Sequence, residues 1–239
     1  FRRLSQPPDF GKASNGYIYS IYLDKKSYDK ALEQINTLIR RYPGEHDYVM
    51  KKIDLLADME DYENAFEMIK EYSKKYPDNV EYSYMLTDLS IDYIKYLNER
   101  EEYPSVKIVA DELVAANPQS HLAYDYAIGA RITMGQYEEA MQMIRAALIQ
   151  FPGSKDLKLK EAGVYSETGQ HEKAVEVLQG LFKKYPYNST IKGSLIEAML
   201  LSAKNKEEKN RNREAMDIYS EILLIKPNEI IAATKLANL

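Results

Sequence analysis

Six prolines constrain this chain more than any other feature. RYP ends at Pro43, KYP at Pro77, ANP at Pro118, QFP at Pro152, KYP at Pro186 and IKP at Pro227. The steps from 43 to 77, 118 to 152 and 152 to 186 are each 34 residues, and those from 77 to 118 and 186 to 227 are each 41. Proline cannot donate a helical hydrogen bond and pushes the residue before it out of the α region, so each one ends a helix. Recurrence at this period means one supersecondary unit used again and again. Other marks keep the register. An alanine stands twelve residues before five of the six prolines, at Ala31, Ala65, Ala140, Ala174 and Ala215, with Val106 in the remaining copy. Three residues earlier stand Tyr28, Tyr62, Tyr103, Tyr137 and His171, and Asn212 in the last copy. Gly135 and Gly169 lie five residues before their alanines, where a turn is expected.

Between the prolines the residues are helix formers, with only 10 glycines and 9 prolines in 239 residues, and no β-branched alternation that would predict a strand. A fixed alanine lets one helix approach another closely, since a larger side chain there would overpack the crossing. Neither helix of such a unit can bury its apolar stripe alone, so neighbouring units must stack and share a core.

The pattern resembles the tetratricopeptide repeat, a pair of antiparallel helices with a large, a small and an aromatic position on the first and alanine, apolar and proline positions on the second. HLAYDYAIGARITMGQYEEAMQMIRAALIQFP places Tyr124, Gly135, Tyr137, Ala140, Ile144 and Pro152 in step, and KDLKLKEAGVYSETGQHEKAVEVLQGLFKKYP places Ala162, Tyr165, Gly169, Ala174, Leu178 and Pro186. The resemblance covers residues 12–239 and implies an all-α, right-handed solenoid of helix hairpins. Its repeats would run 12–43, 46–77, 80–118, 121–152, 155–186 and 189–227, with a partial copy at 228–239 and an extended lead-in at 1–11. The third copy is expected to lengthen its first helix by about two turns. In the sixth, the polar run KNKEEKNRNRE at 204–214 is expected to form a solvated extension or loop.

Charge and composition exclude several classes of function. The net charge of −5 is spread over mixed signs, which argues against a nucleic-acid binder working by phosphate neutralisation. No window approaches the roughly 18 apolar residues that a membrane span requires. Without cysteine there is neither a disulfide nor a thiol nucleophile. His46, His121 and His171 fall in three different copies with no metal-binding spacing, and read as packing or surface residues. The acids Asp54, Asp58, Glu60 and Asp61 come with no phosphate loop or nucleophile elbow, so no catalytic residue, cofactor or metal ion is assigned and the chain reads as a non-enzyme. The 21 tyrosines fall mostly at helical spacing, as in Tyr19 with Tyr22 and Tyr93 with Tyr96, and read as inter-helix core. Asn188-Ser189-Thr190 reads as a helix cap.

The resemblance places partner binding on the first helices. By register the candidates are Ser20, Leu23 and Asp24; Met50, Asp54 and Asp58; Tyr84 and Asp88; and Asp125 with Ile132. The family's carboxylate clamp needs a Lys and an Asn four residues apart on that face. The matching positions are Gly16 and Ser20, Met50 and Asp54, and Asp125 and Gly129, so the clamp is missing. An acidic or neutral groove should prefer a basic or apolar segment. The expected function is a non-catalytic scaffold for a protein or peptide partner, with a spacer or assembly domain of a larger exported envelope protein as the alternative. The lack of cysteine, the start at Phe1 and a composition rich in Lys and Tyr lead to the expectation of a piece of a longer bacterial protein, periplasmic or envelope-associated rather than cytoplasmic.

Overall fold

The computed structural model describes residues 10–238. Among them are thirteen α-helices and no strand: α1 (Phe10–Asp24), α2 (Tyr28–Arg41), α3 (His46–Asp58), α4 (Tyr62–Lys75), α5 (Val80–Glu99), α6 (Tyr103–Ala116), α7 (His121–Thr133), α8 (Tyr137–Gln150), α9 (Lys155–Glu167), α10 (His171–Lys184), α11 (Ser189–Glu208), α12 (Asn212–Ile225) and α13 (Ile230–Asn238). The chain divides into two compact units, the first ending at Pro118 and the second starting at Gln119. In the first, α1 pairs with α2, α3 with α4 and α5 with α6; in the second, α7 pairs with α8, α9 with α10 and α11 with α12, while α13 packs on α12. Of the extended lead-in expected at 1–11, residues 1–9 lie outside the described residues, and Phe10 and Gly11 already belong to α1.

Every hairpin is closed by the same backbone device. The turn residue has a left-handed conformation at Lys26, Glu60, Glu101, Gly135, Gly169 and Asn210, with φ between 50° and 72°. The next residue's N–H then reaches back to a carbonyl five residues earlier, as from Ser27 to Tyr22 at 2.8 Å, Gln136 to Arg131 at 2.8 Å and Arg211 to Lys206 at 2.8 Å. This is a Schellman closure, which satisfies the last carbonyls of the first helix. Glycine occupies two of these six positions, so a search for turn glycines finds a third of the turns.

The opposite turns rest on the prolines. The residue before each proline is driven out of helical geometry, with φ of −130° at Tyr42 and −127° at Phe151. The following helix is capped by a side-chain oxygen where the sequence supplies one: Asn79 Oδ1 accepts from Glu81 N–H at 3.0 Å, Ser154 Oγ from Leu157 N–H at 3.3 Å and Asn188 Oδ1 from Ile191 N–H at 3.0 Å. Asn188 is thus the helix cap expected for Asn188-Ser189-Thr190.

The alanine ruler is the core of each hairpin. Ala31, Ala65, Ala140, Ala174 and Ala215 are fully buried and Val106 nearly so. The tyrosines knit one hairpin to the next. Tyr62 at the start of α4 stacks on Tyr93 of α5 at 5.8 Å and lies 4.9 Å from Tyr96, and at the other end of the same seam Tyr72 and Tyr76 close on buried Tyr82 at 5.8 and 6.1 Å.

Both enlarged repeats use one solution. α5 and α11 have 20 residues where α3, α7 and α9 have 13, so the extra length enters the first helix in each case. The run at 204–214, expected as a solvated extension or a loop, is mostly an exposed helical extension: α11 runs on through Glu208 and only residues 209–211 separate it from α12. Lys206 is the one buried residue of that run. Its stem is buried and its Nζ is paired with Glu172 of α10 and, at 3.3 Å, with Glu214 of α12, so a residue that looks solvated in sequence ties three helices together.

Candidate functional site

In the first unit the candidate residues fall on α1, α3 and α5. Ser20, Asp24, Asp54, Asp58 and Asp88 are exposed, and so is Tyr84, with 69 % of its surface open. Met50 is half-buried, and Leu23 is half-buried against the cluster built on Tyr19, Ile35 and Leu38, so its apolar bulk serves the core. Ser20 Oγ donates to the Gly16 carbonyl of its own helix at 3.2 Å.

Electrostatics links α1 to α3. Tyr19 is buried and its hydroxyl donates to the Lys51 carbonyl at 3.0 Å. Burial, and then the carboxylates of Asp54 and Asp58, push its ionisation up to about 12. Burial, together with the negative charge of Asp58 one turn away, raises the Asp54 carboxyl above the usual range. Burial also raises Tyr62, assisted by Asp92, Glu60 and Asp58, so acids from α3 and α5 act on one ring. Asp54 and Asp58 stand one turn apart on α3, with Lys26 and Lys30 lining the same shallow hollow as Asp58, and a cation arriving at two such like charges lowers their energy.

In the second unit the two candidates are less available. Asp125 is half-buried and paired with Lys160 of α9 at 3.2 Å, and Ile132 is half-buried. One 34-residue step after Asp125 and Ile132 come Leu159 and Ser166, which the sequence reading did not name. Both line a hollow of about 370 Å³ between α9 and α11, together with Gly163, Glu167, Glu197 and Leu201. Carrying the register one repeat onward was the signal that could have found them. A more open recess of about 540 Å³ lies between α9 and α10, with Lys158, Lys173 and Lys184 among its walls.

The histidines have structural partners. His46 Nδ1 is 2.7 Å from the Tyr82 hydroxyl and His121 Nε2 is 2.8 Å from the Ser154 hydroxyl, so each joins consecutive hairpins. His171 Nδ1 is buried with no hydrogen-bond partner among the described residues. Among those residues no group of three or more His, Asp or Glu side chains is placed to hold a metal ion, and no helix is long and apolar enough to cross a membrane.

The tetratricopeptide repeat family model matches residues 131–195, from the end of α7 into α11. No curated protein matches the chain in sequence. Among solved structures the chain is similar to a tetratricopeptide repeat protein from Parabacteroides merdae ATCC 43184, at 12 % identity and a TM-score of 0.45, covering 95 % of this chain and 97 % of that one. It is similar to MamA AMB-1 at 16 % identity and a TM-score of 0.47, covering 76 % and 95 %. YrrB, described as a TPR protein with an unusual peptide-binding site, is 12 % identical with a TM-score of 0.49, covering 87 % and 100 %. Residues 131–195 are thus a tetratricopeptide-repeat segment, and the same proline-set period and helix hairpins recur before and after it among the described residues.

Proposed function

We propose that the chain is a non-catalytic scaffold that holds a partner polypeptide on the face of its first helices, and that the part of the partner meeting α1, α3 and α5 is basic. The observation that carries this reading is a set of exposed carboxylates on the first helices, Asp24 on α1, Asp54 and Asp58 on α3 and Asp88 on α5, with the open ring of Tyr84; burial, and then Asp58, raise the Asp54 carboxyl. Repulsion that is present in the free protein and relieved by a cation gives a complementary partner its binding energy. An exposed aromatic ring adds an amphipathic anchor.

Binding of fluorescent Lys/Arg-rich and Glu-rich peptides of equal length, followed by anisotropy, tests this. The basic peptide should bind and the acidic one should not, with affinity falling as salt rises. Asp54→Asn with Asp58→Asn should weaken binding by about tenfold, or about 1.4 kcal/mol. Met50→Ala with Tyr84→Ala should weaken it further. Equal binding of both peptides, or unaltered binding by these variants, would overturn the assignment and favour a spacer or assembly domain joined to its neighbours elsewhere.

A further inference from the structure

The hollow between α9 and α11 belongs to the same register of first-helix positions but differs from the acidic face of the first unit in being a true recess. It is made by small residues. Gly163 on α9 and Ala198 on α11 leave room where other residues would fill the gap, and a Cβ added at Gly163 would meet nothing within 4 Å. Its apolar walls come from Leu159 and Leu201, and Ser166 and Ser194 add hydroxyls. Glu167 and Glu197 are both exposed, and neither Lys nor Arg lines the recess. Glu197 has no ion-pair partner among the described residues, and Glu167 receives only a long hydrogen bond from the Tyr137 hydroxyl at 3.5 Å. His171, also in the lining, carries the buried and unpartnered Nδ1.

A recess whose lining combines leucines, serine hydroxyls and two exposed acids is the complement of one kind of side chain. A long basic residue has an aliphatic stem for the leucines and a charged head for the carboxylates. Arginine fits better than lysine, because its five fixed donors can serve two carboxylates and a hydroxyl together, where an ammonium offers three. At about 370 Å³ the recess has room for one such side chain. We infer that the hollow between α9 and α11 is an anchor pocket for a single arginine or lysine of a bound polypeptide. This rests on the reading that a polypeptide lies on the first-helix face, and adds the residue that fixes its register.

The test follows backbone amide shifts of the full chain by NMR during titration with three short alanine-based peptides, identical except for a central arginine, lysine or norleucine. The arginine peptide should shift the amides around Gly163, Ser166, Ser194 and Ala198, the lysine peptide more weakly, and norleucine at least about tenfold more weakly than arginine. Gly163→Leu should abolish those shifts by filling the recess. It extends into open space on a helix that leucine favours, so folding is not at stake. Glu167→Gln with Glu197→Gln should cost about tenfold in affinity for the arginine peptide. Binding of norleucine as strong as arginine, or persistence of the shifts in Gly163→Leu, would overturn the pocket. Shifts confined to α1, α3 and α5 would also overturn it while leaving the first-helix reading intact, and a titration that moves neither set would remove both.

Discussion

The carboxylate of Glu207 offers a quantitative test of how the end of the second unit is held. One oxygen accepts from the hydroxyl of Tyr219 on α12 at 2.6 Å and the other meets Lys235 Nζ of α13 at 2.6 Å, so one side chain on α11 joins three helices. Tyr219 is among the largest fully buried side chains, and Tyr219→Phe removes only the hydroxyl. A hydrogen bond to a charged group contributes about 1.5–3 kcal/mol. Glu207 keeps 19 % of its side chain exposed, so water can partly replace the lost donor and the lower end applies. A loss of about 1.5 kcal/mol is roughly a tenfold rise in the opening equilibrium. Because neighbouring repeats open as local units, amide hydrogen exchange in α12 reads this more directly than a global melt. Lys235, and then Tyr219, hold the Glu207 carboxyl below its usual range. A carboxyl depressed in the folded state contributes stability that is present above the unfolded value, roughly 4.3, and is lost as pH falls through the folded value. The rise in exchange, corrected for intrinsic rate, should therefore be large near neutral pH and shrink under acidic conditions. Unchanged exchange in Tyr219→Phe, or an equal rise at both pH values, would refute the three-helix clamp.

Three further outcomes follow from the same structure. Gly135→Ala should destabilise by about 1–2 kcal/mol, because φ of +70° suits glycine. Glu101→Gly, at the equivalent turn with φ of 59°, should be neutral or stabilising by up to about 1 kcal/mol once the entropy of glycine is counted, so of the pair only Gly135→Ala should lower the urea midpoint. Ala140→Leu, at a fully buried helix crossing, should cost about 1–3 kcal/mol by overpacking, and an unchanged thermal transition would show that α7 and α8 do not touch there. Tyr19 and Tyr82 are both pushed up to about 12, chiefly by burial. A group raised in the folded state keeps its contribution below the unfolded value, roughly 10, and loses it as pH rises toward the folded one, so helix content should fall between these limits. An ultraviolet titration in which every tyrosine ionises normally while circular dichroism is unchanged would contradict that burial.

The sequence alone determined the period, the helix pairs and the ends of every second helix, because proline and buried alanine act locally: one removes a donor and a conformation, the other sets how near two helices can come. Two of the six hairpin turns were legible through glycine; Lys26, Glu60, Glu101 and Asn210 were not, since a Schellman closure can hold an ordinary residue in the left-handed region when the packed helices on both sides fix it. The run at 204–214 read as a solvated extension or a loop because polar residues in sequence look the same whether water or a neighbouring helix receives them. Only the tertiary structure shows Glu172 and Glu214 around Lys206, which makes it the buried residue of that run. The candidate site divides in the same way. Register put Asp54, Asp58 and Tyr84 on the surface, as exposure depends on which side of a helix a residue occupies. The hollow framed by Gly163, Glu167 and Glu197 depends on the space left between α9 and α11, a distance between helices that no local pattern encodes.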